Sequence, residues 1–161
     1  MYITAFNLHR DKLMKKITIF LFAIISIVLS TSVGAQDKSV NQAIDEALGD
    51  HTKYEAVILE LQKAVSAHDA NAVAALVRYP IGVKVHGKEK HIKTPRDFVL
   101  NYDGIMTPGI SKAIAAQKYE DLAVNYQGIM FGDGQVWING ICHDNQCKKF
   151  DVKVVTIQES P

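Results

Sequence analysis

The last third of the chain, residues 121–157, constrains the fold more than any other stretch. Three runs rich in Val, Ile, Tyr, Phe and Trp are separated there by polar breaks at residues 132–134 and 143–146. This pattern predicts an antiparallel meander of three strands, within residues 121–131, 135–142 and 147–157. Gly132 and Gly134 tolerate the positive φ angles of a tight hairpin turn. Such a sheet has one face to cover, and we expect the helices upstream to cover it.

The N-terminal region predicts export. Two lysines precede an apolar run over residues 17–29, and small residues ending in Ala35 follow it. A basic segment, an apolar segment and a small-x-Ala site are together typical of a secretory signal peptide. The apolar run is shorter than the roughly 20 residues of a membrane-spanning helix. We expect translation from Met14, cleavage that removes residues 1–35, and a mature single domain over residues 36–161, soluble in the periplasm.

The charge balance argues against a nucleic-acid partner. The chain has 18 basic and 17 acidic residues, and residues 1–35 hold four of the basic and one of the acidic ones. The mature chain then has 14 basic and 16 acidic residues, formally −2. This balance gives no electrostatic footprint for nucleic acid or a membrane surface. After cleavage we expect no stable membrane insertion.

Cys142 and Cys147 are expected to form a disulfide. They lie on either side of a predicted turn, and exported thiols are usually oxidised. Loop-closure entropy makes so short a cross-link worth about 2 kcal/mol. The alternative is a metal site built from these two cysteines with His143 and Asp144, but the spacing matches no common zinc pattern. We expect neither a bound metal nor a cofactor.

Helical periodicity dominates the first half of the mature chain. From His51, one apolar stripe predicts a long helix; its members are Tyr54, Val57, Ile58, Leu61 and Val65. A short helix is expected before it, ending at Gly49. Another is expected over residues 70–78, capped by Asp69 and ended by Tyr79-Pro80.

Residues 81–92 alternate between apolar and polar side chains, which predicts one strand or a small hairpin with its turn at Gly87-Lys88. Thr94 and Thr107, each followed by a proline, predict two further helix starts. These helices are expected to bury Phe98, Tyr102, Ile105, Met106, Ile110, Ala113 and Ile114.

The order of these elements resembles the nuclear-transport-factor-two-like superfamily. Residues 69–76 leading into 79–83, and a Gly-rich hairpin before a Trp strand at residues 132–137, carry the resemblance, which covers residues 54–157. It implies an α+β fold in which a curved antiparallel sheet wraps a long N-terminal helix into a cone. The superfamily includes isomerases, dehydratases, binding modules and assembly domains, so the resemblance implies no single function.

Members similar to ketosteroid isomerases use a buried carboxylate with Tyr and Asp hydrogen-bond donors. That resemblance makes Tyr102 and Asp103 the candidate catalytic pair, with Tyr102 also a candidate ligand contact. Neighbours on a helix point about 100° apart, so we expect Tyr102 in the core and Asp103 in solvent. The histidines have no partner at helical spacing and no adjacent nucleophile, and we expect them at the surface.

Trp137 is the strongest candidate for a partner anchor. Along its strand, Val136 and Ile138 share one sheet face, whereas Trp137 and Asn139 share the other. The alternation on the next strand favours the Val136 side as the core. Trp137, Asn139 and Tyr126 then become candidate ligand or partner contacts on the outer face. The opposite register, with Trp137 in the core, stays open.

A local basic stretch has two interpretations. Residues 84–96 include four lysines and one arginine, interrupted by Glu89. The stretch either binds an acidic partner or forms the solvated face of an edge hairpin, where lysines also block aggregation.

Together these features predict a non-enzymatic periplasmic binding module. It would hold a small ligand at the cone mouth or a protein on the sheet face, a homodimer through that face included. A sharper version is an inhibitor or immunity protein directed against a toxic hydrolase. The alternative is a small isomerase- or dehydratase-like enzyme with a pocket carboxylate. A deep pocket with an acid of raised pKa would favour the enzyme.

Overall fold

The computed structural model describes residues 39–159 of the chain. The predicted signal peptide, the start at Met14 and the cleavage after Ala35 lie outside the described residues. Six α-helices and six strands follow in the order α1 (Val40–Ala47), α2 (His51–Ser66), α3 (Ala70–Leu76), β1 (Ile81–Val85), β2 (Lys88–Ile92), α4 (Pro95–Leu100), α5 (Tyr102–Ile105), α6 (Pro108–Ala116), β3 (Ala123–Asn125), β4 (Gly128–Phe131), β5 (Val136–Cys142) and β6 (Phe150–Ile157), and a 3-10 helix (Tyr119–Asp121) lies between α6 and β3. The described part is therefore a mixed α+β structure with antiparallel sheets.

The predicted helix starts are confirmed by their capping bonds. The Asp69 carboxylate accepts the backbone N–H groups of Asn71 and Ala72 at 3.1 and 3.0 Å. The Thr94 hydroxyl accepts the N–H of Asp97 at 3.1 Å, and Thr107 caps α6 in the same way. These bonds satisfy N–H groups that the first turn of a helix leaves without a partner.

Helix α2 buries the predicted stripe, with Val57 half-buried and the other members at 1–6% exposure. Helix α3 ends at Leu76, earlier than the predicted Arg78. Val77 instead forms a parallel bridge with Val154 of β6, and the N–H of Arg78 donates to the Val154 carbonyl at 2.9 Å. The end of α3 is thus set by pairing with a strand 77 residues further along the chain, which no local sequence pattern could predict.

The region after Thr94 contains two short helices where one was expected. The break falls at Asn101, whose side-chain amide donates to the Asp97 carbonyl at 2.6 Å. The predicted core residues of this region are buried nevertheless, except Ala113, which is half-buried.

The C-terminal sheet has four strands, in the order β3-β4-β5-β6, so the prediction of three strands is wrong. The predicted first strand folds back on itself, with Asn125 opposite Gly128. The Asn125 side chain accepts the N–H of Gln127 at 2.7 Å, and Gly128 has a φ of +130°. A Cβ at Gly128 would also collide with the carbonyl of Ile138. The sequence expectation failed because Tyr126-Gln127 lacks the glycine or asparagine usual in two-residue hairpin loops.

Strands β1 and β2 form a separate hairpin, one of the two predicted alternatives. Its turn lies at His86-Gly87, one residue earlier than expected, and both residues have positive φ angles of 50° and 76°. Two successive residues with positive φ match the turn type that two-residue hairpins favour.

The core lies between the helices and the inner face of the four-stranded sheet. Most of that face is buried; its buried side chains are Ile129, Phe131, Val136, Ile138, Val152, Val154 and Ile157. No polar or charged residue is buried within residues 39–159. Within the same range, no helix combines the length and the apolar composition that crossing a membrane would require.

Candidate functional site

The outer face of the four-stranded sheet carries a row of residues that we call the Trp137 row: Ala123, Met130, Trp137 and Thr156. The register pairs Ala123 with Met130, Met130 with Trp137, and Trp137 with Thr156. Members of the row are exposed or half-buried. Val136 and Ile138, on either side of the indole in sequence, are 1% and 0% exposed. The structure therefore places Trp137 on the outer face, outside the core.

Two backbone features set the environment of the indole. The pairing of β5 with β6 shifts by one residue between Trp137 and Ile138, an irregularity that increases local twist. In the β4–β5 turn, Gly134 has a φ of +101°, and its Cβ position would lie 3.8 Å from Trp137 Nε1. Among the described residues, the indole N–H has no hydrogen-bond acceptor. The row thus offers an apolar ring with a free donor at its edge.

A polar row runs beside the Trp137 row. Asn125 pairs with Gly128, and Asn139 pairs with Lys153 on the same outer face. The Asn139 amide donates to the Gln127 carbonyl at 3.0 Å and so braces the β3–β4 turn. Tyr126, at the tip of that turn, is 82% exposed. The structure thus brings the predicted partner contacts Trp137, Asn139 and Tyr126 to one face of the sheet and its adjoining turn.

Tyr102 and Asp103 point into different environments. Tyr102 is 4% exposed, and its hydroxyl has no hydrogen-bond partner within the described chain. Burial first, then the charges of Asp103 and Asp69, raise the pKa of Tyr102. The Asp103 side chain is 84% exposed and lies 3.1 Å from Nε2 of His68. The His68 ring packs edge-on against Tyr102, with the ring centres 4.9 Å apart.

Asp103 stands at the rim of two shallow depressions. One, of about 310 Å³, is lined by His68, Asp103, Met106, Pro108 and Ser111. The other, of about 140 Å³, includes Lys84, His86, Gly104, Thr107 and Glu159. Both open to solvent beside an exposed carboxylate, so neither encloses Asp103 as a deep catalytic pocket would.

The described carboxyl groups with a displaced pKa are all shifted downward. The backbone N–H of His51 lowers the pKa of Asp45, and the Thr52 hydroxyl lowers that of Asp50. Backbone N–H groups, led by that of Lys149, lower the pKa of Asp144. Hydrogen bonds to a carboxylate favour its charged form. These three groups therefore act as charged acceptors that hold the local backbone in place.

Residues 142–149, which we call the stapled loop, join β5 to β6. The sulfur atoms of Cys142 and Cys147 lie at disulfide-bonding distance, as predicted, with the Cα atoms 4.8 Å apart. Asp144 accepts the N–H groups of Gln146, Lys148 and Lys149 at 2.9, 3.1 and 2.7 Å. Sequence reasoning missed this role of Asp144, although an Asp at the start of a turn often bonds the backbone two residues on.

Three histidine–aspartate pairs were also missed. Nδ1 of His51 lies 2.8 Å from Asp45, and Nε2 of His143 lies 2.9 Å from Asp151, in addition to His68 with Asp103. Helical spacing does not relate the members of these pairs, so a search at i, i+4 could not find them. No three His, Cys, Asp or Glu side chains among residues 39–159 converge as metal ligands do.

The basic stretch lies on the exposed hairpin β1–β2, where four of the five residues of β2 are exposed. Lys90 donates to the Asn101 side chain at 2.8 Å. This exposed position agrees both with a binding face for an acidic partner and with the solvated face of an edge hairpin.

No known protein-family profile, no curated protein and no solved structure matches this chain.

Proposed function

We propose that this protein is an exported, non-enzymatic binding module that docks a protein partner on the Trp137 row. One observation carries the proposal. The inner face of the sheet is buried by the chain's own helices, whereas the outer face presents the only tryptophan, half-exposed, beside Met130. Tryptophan and methionine are enriched in protein interfaces, and tryptophan often contributes most of the binding energy.

The layout of the outer face suits a small docking patch. Four strands spaced by about 4.8 Å make the row about 14 Å long. The polar row with Asn125 and Lys153 lies beside it, and a polar rim around an apolar centre is the usual anatomy of an interface. The free indole N–H adds a directional contact that a partner carbonyl would satisfy.

The enzyme alternative lacks support from its own candidates. A carboxylate that takes a proton from carbon works in a pocket that holds the substrate against it, and the Asp103 side chain is 84% exposed. Tyr102, the proposed donor, is buried beneath His68. The outer face is therefore the favoured site.

We propose the cone-like fold of the nuclear-transport-factor-two-like superfamily, with the sheet curved around a long helix; the element order supports this. We also propose cleavage after Ala35 and a periplasmic role as an inhibitor or immunity-type protein. The bonded pair Cys142–Cys147 suits an oxidising compartment. Sequencing of the native N-terminus should give Gln36 first, and a retained apolar segment would contradict export.

The docking proposal is tested by photo-crosslinking in the native cell. A photoreactive amino acid at Met130 should give an adduct of defined mass, identified by mass spectrometry. The same group at Leu100, which is 73% exposed but on α4, serves as the control position. The partner is then purified, and its affinity for Trp137→Ala should fall by 2 kcal/mol or more, about thirtyfold.

Three results separate the outcomes. An adduct from position 130 with a second copy of the chain identifies the partner as a homodimer. An adduct seen equally from positions 100 and 130, or an affinity unchanged by Trp137→Ala, removes the Trp137 row from the interface. A chain that forms no adduct at position 130 and sediments as a monomer contradicts the proposal altogether.

A further inference from the structure

Asn139 and Gly140, in the second half of β5, form the one Asn-Gly sequence of the chain. The glycine is required there by packing. A Cβ at Gly140 would lie 2.8 Å from the Tyr54 hydroxyl oxygen and 3.0 Å from the Phe150 ring, so a side chain at this position would press on both aromatic residues. Asn139 therefore precedes a residue whose backbone nitrogen is not shielded by a side chain.

The backbone nitrogen of Gly140 lies against the side chain of Asn139. Its N–H donates to Asn139 Oδ1 at 2.7 Å. The regular pairing of β4 with β5 ends at Ile129 and Ile138, so the ladder between these two strands stops short of Gly140. Because Oδ1 and Cγ belong to one carbonyl group, the nitrogen stands beside the carbon that it would attack. Reacting atoms about 3–3.5 Å apart form a near-attack arrangement.

The carboxamide of Asn139 is held at both ends and is accessible to water. Oδ1 accepts the Gly140 N–H, and Nδ2 donates to the Gln127 carbonyl at 3.0 Å. Asn139 and Gly140 are both half-buried, at the outer face of the sheet. Solvent thus reaches a preorganised pair of reacting groups.

We propose that Asn139 is a site of self-modification, at which the side chain deamidates through a succinimide and releases the β3–β4 turn. Solvent base removes the Gly140 amide proton, and the nitrogen attacks Asn139 Cγ. The bond between Gly140 N and Cγ forms, the bond between Cγ and Nδ2 breaks, and ammonia leaves with a proton from water. Water then opens the ring at Cγ, which gives Asp, or at the backbone carbon, which gives isoaspartate. Water is the only co-reactant, and nothing is oxidised or reduced.

The product lacks the donor that braces the β3–β4 turn. A carboxylate at position 139 has no N–H for the Gln127 carbonyl, and two acceptor oxygens then face each other. Isoaspartate also lengthens the backbone of β5 by one carbon, opposite Lys153. The turn that carries Tyr126 should then become mobile. This inference concerns a modification of the chain itself and holds whether or not a partner docks on the Trp137 row.

The test follows the purified protein in mildly alkaline buffer by peptide mapping and mass spectrometry. Asn139 should convert at least about tenfold faster than Asn125 or Asn145, because its nucleophilic nitrogen is unshielded and in near-attack geometry. Both comparison residues are exposed, so exposure alone predicts the opposite order. An isoaspartate-specific methyltransferase, used as a probe, measures the isoaspartate product independently.

The urea-unfolded chain separates the effect of the fold from that of the Asn-Gly sequence. The folded chain should convert Asn139 at least as fast as the unfolded chain. Asn139→Gln should stop conversion at this site, since a Gln side chain needs a larger ring. Asn145→Gln is the matched control and should leave conversion at Asn139 unchanged. The proposal is overturned if Asn139 persists in the folded chain while it converts in urea, or if it converts no faster than Asn125 and Asn145.

A variant that reproduces one product tests the release of the turn. In Asn139→Asp, the Gln127 N–H, which is bonded to Asn125 Oδ1 within the turn, should exchange with solvent faster than in the wild type. Asn145→Asp adds the same charge in the stapled loop and should leave this exchange unchanged. Aged wild-type protein should show the faster exchange in proportion to its converted fraction. Equal exchange in Asn139→Asp and the wild type would overturn the release of the turn.

Discussion

The inner face of the four-stranded sheet and the stapled loop at its end are held in place by different forces. The inner face depends on apolar packing, with Ile129, Phe131 and Ile138 at 0% exposure. The stapled loop depends on one covalent bond and on the carboxylate of Asp144, with almost no packing. Packing determines whether the chain folds, and local bonds determine the shape of a surface that folding leaves free. Substitutions in the inner face should therefore lower the free energy of unfolding more than substitutions in the loop. Changes in the loop should leave the core unchanged.

The largest effect is expected in the interior. Ile138→Ala removes a fully buried side chain between sheet and helices, and the cavity should lower the free energy of unfolding by about 2–5 kcal/mol. The neighbouring Trp137→Ala is the matched control, because the larger side chain lies on the outer face. Its loss should lower the free energy of unfolding by less than about 1 kcal/mol. Urea unfolding followed by circular dichroism measures both.

The fluorescence of Trp137 gives an independent check, since it is the only tryptophan. The native emission should be readily quenched by a neutral quencher. Equal destabilisation by the two variants, or an indole protected from quenching, would contradict the assignment of inner and outer faces.

A smaller effect is expected from the covalent bond of the loop. Cys142→Ser with Cys147→Ser should lower the free energy of unfolding by about 2 kcal/mol, because the unfolded chain regains the freedom of a short ring. The urea dependence of the unfolding free energy and the core NMR resonances should stay as in the wild type. Two free thiols in the untreated native protein would contradict the bonded pair. A loss of core resonances would show that the loop supports packing after all.

The sequence predicts the parts of this fold whose causes are local. The stripe of α2 follows from helical periodicity, and the caps at Asp69 and Thr94 follow from residue type and position. The two faces of β5 follow from strict alternation around Trp137. Each of these needs information from only a few neighbouring residues.

Other features depend on contacts that are distant in sequence, which no local pattern contains. Val77 leaves α3 to pair with Val154, and His68 meets Asp103. The β3–β4 turn was missed for another reason. Its glycine, Gly128, follows the two-residue loop instead of lying within it, so the usual turn pattern is absent. The alternation along β5 thus placed Trp137 and Asn139 on one face, but it could not show that Met130 and Thr156 lie beside the indole, because the register across strands brings them there.

The smallest expected effect is the response to protonation of Asp144, which should be confined to the stapled loop. Its hydrogen bonds hold the pKa of its carboxyl below the ordinary Asp value of 3.8. Because the folded pKa is lowered, the stabilisation by Asp144 is fully present above pH 3.8 and is lost as the pH falls through the folded pKa. On acidification, the amide resonances of Gln146, Lys148 and Lys149 should shift together with a midpoint below 3.8, while core amides such as that of Ile138 stay unchanged. Asp144→Asn removes this carboxyl group, so the concerted shift of the three amides should be absent from the variant. A midpoint at or above 3.8, or simultaneous movement of core amides, would mean that the carboxylate does not hold the loop as described.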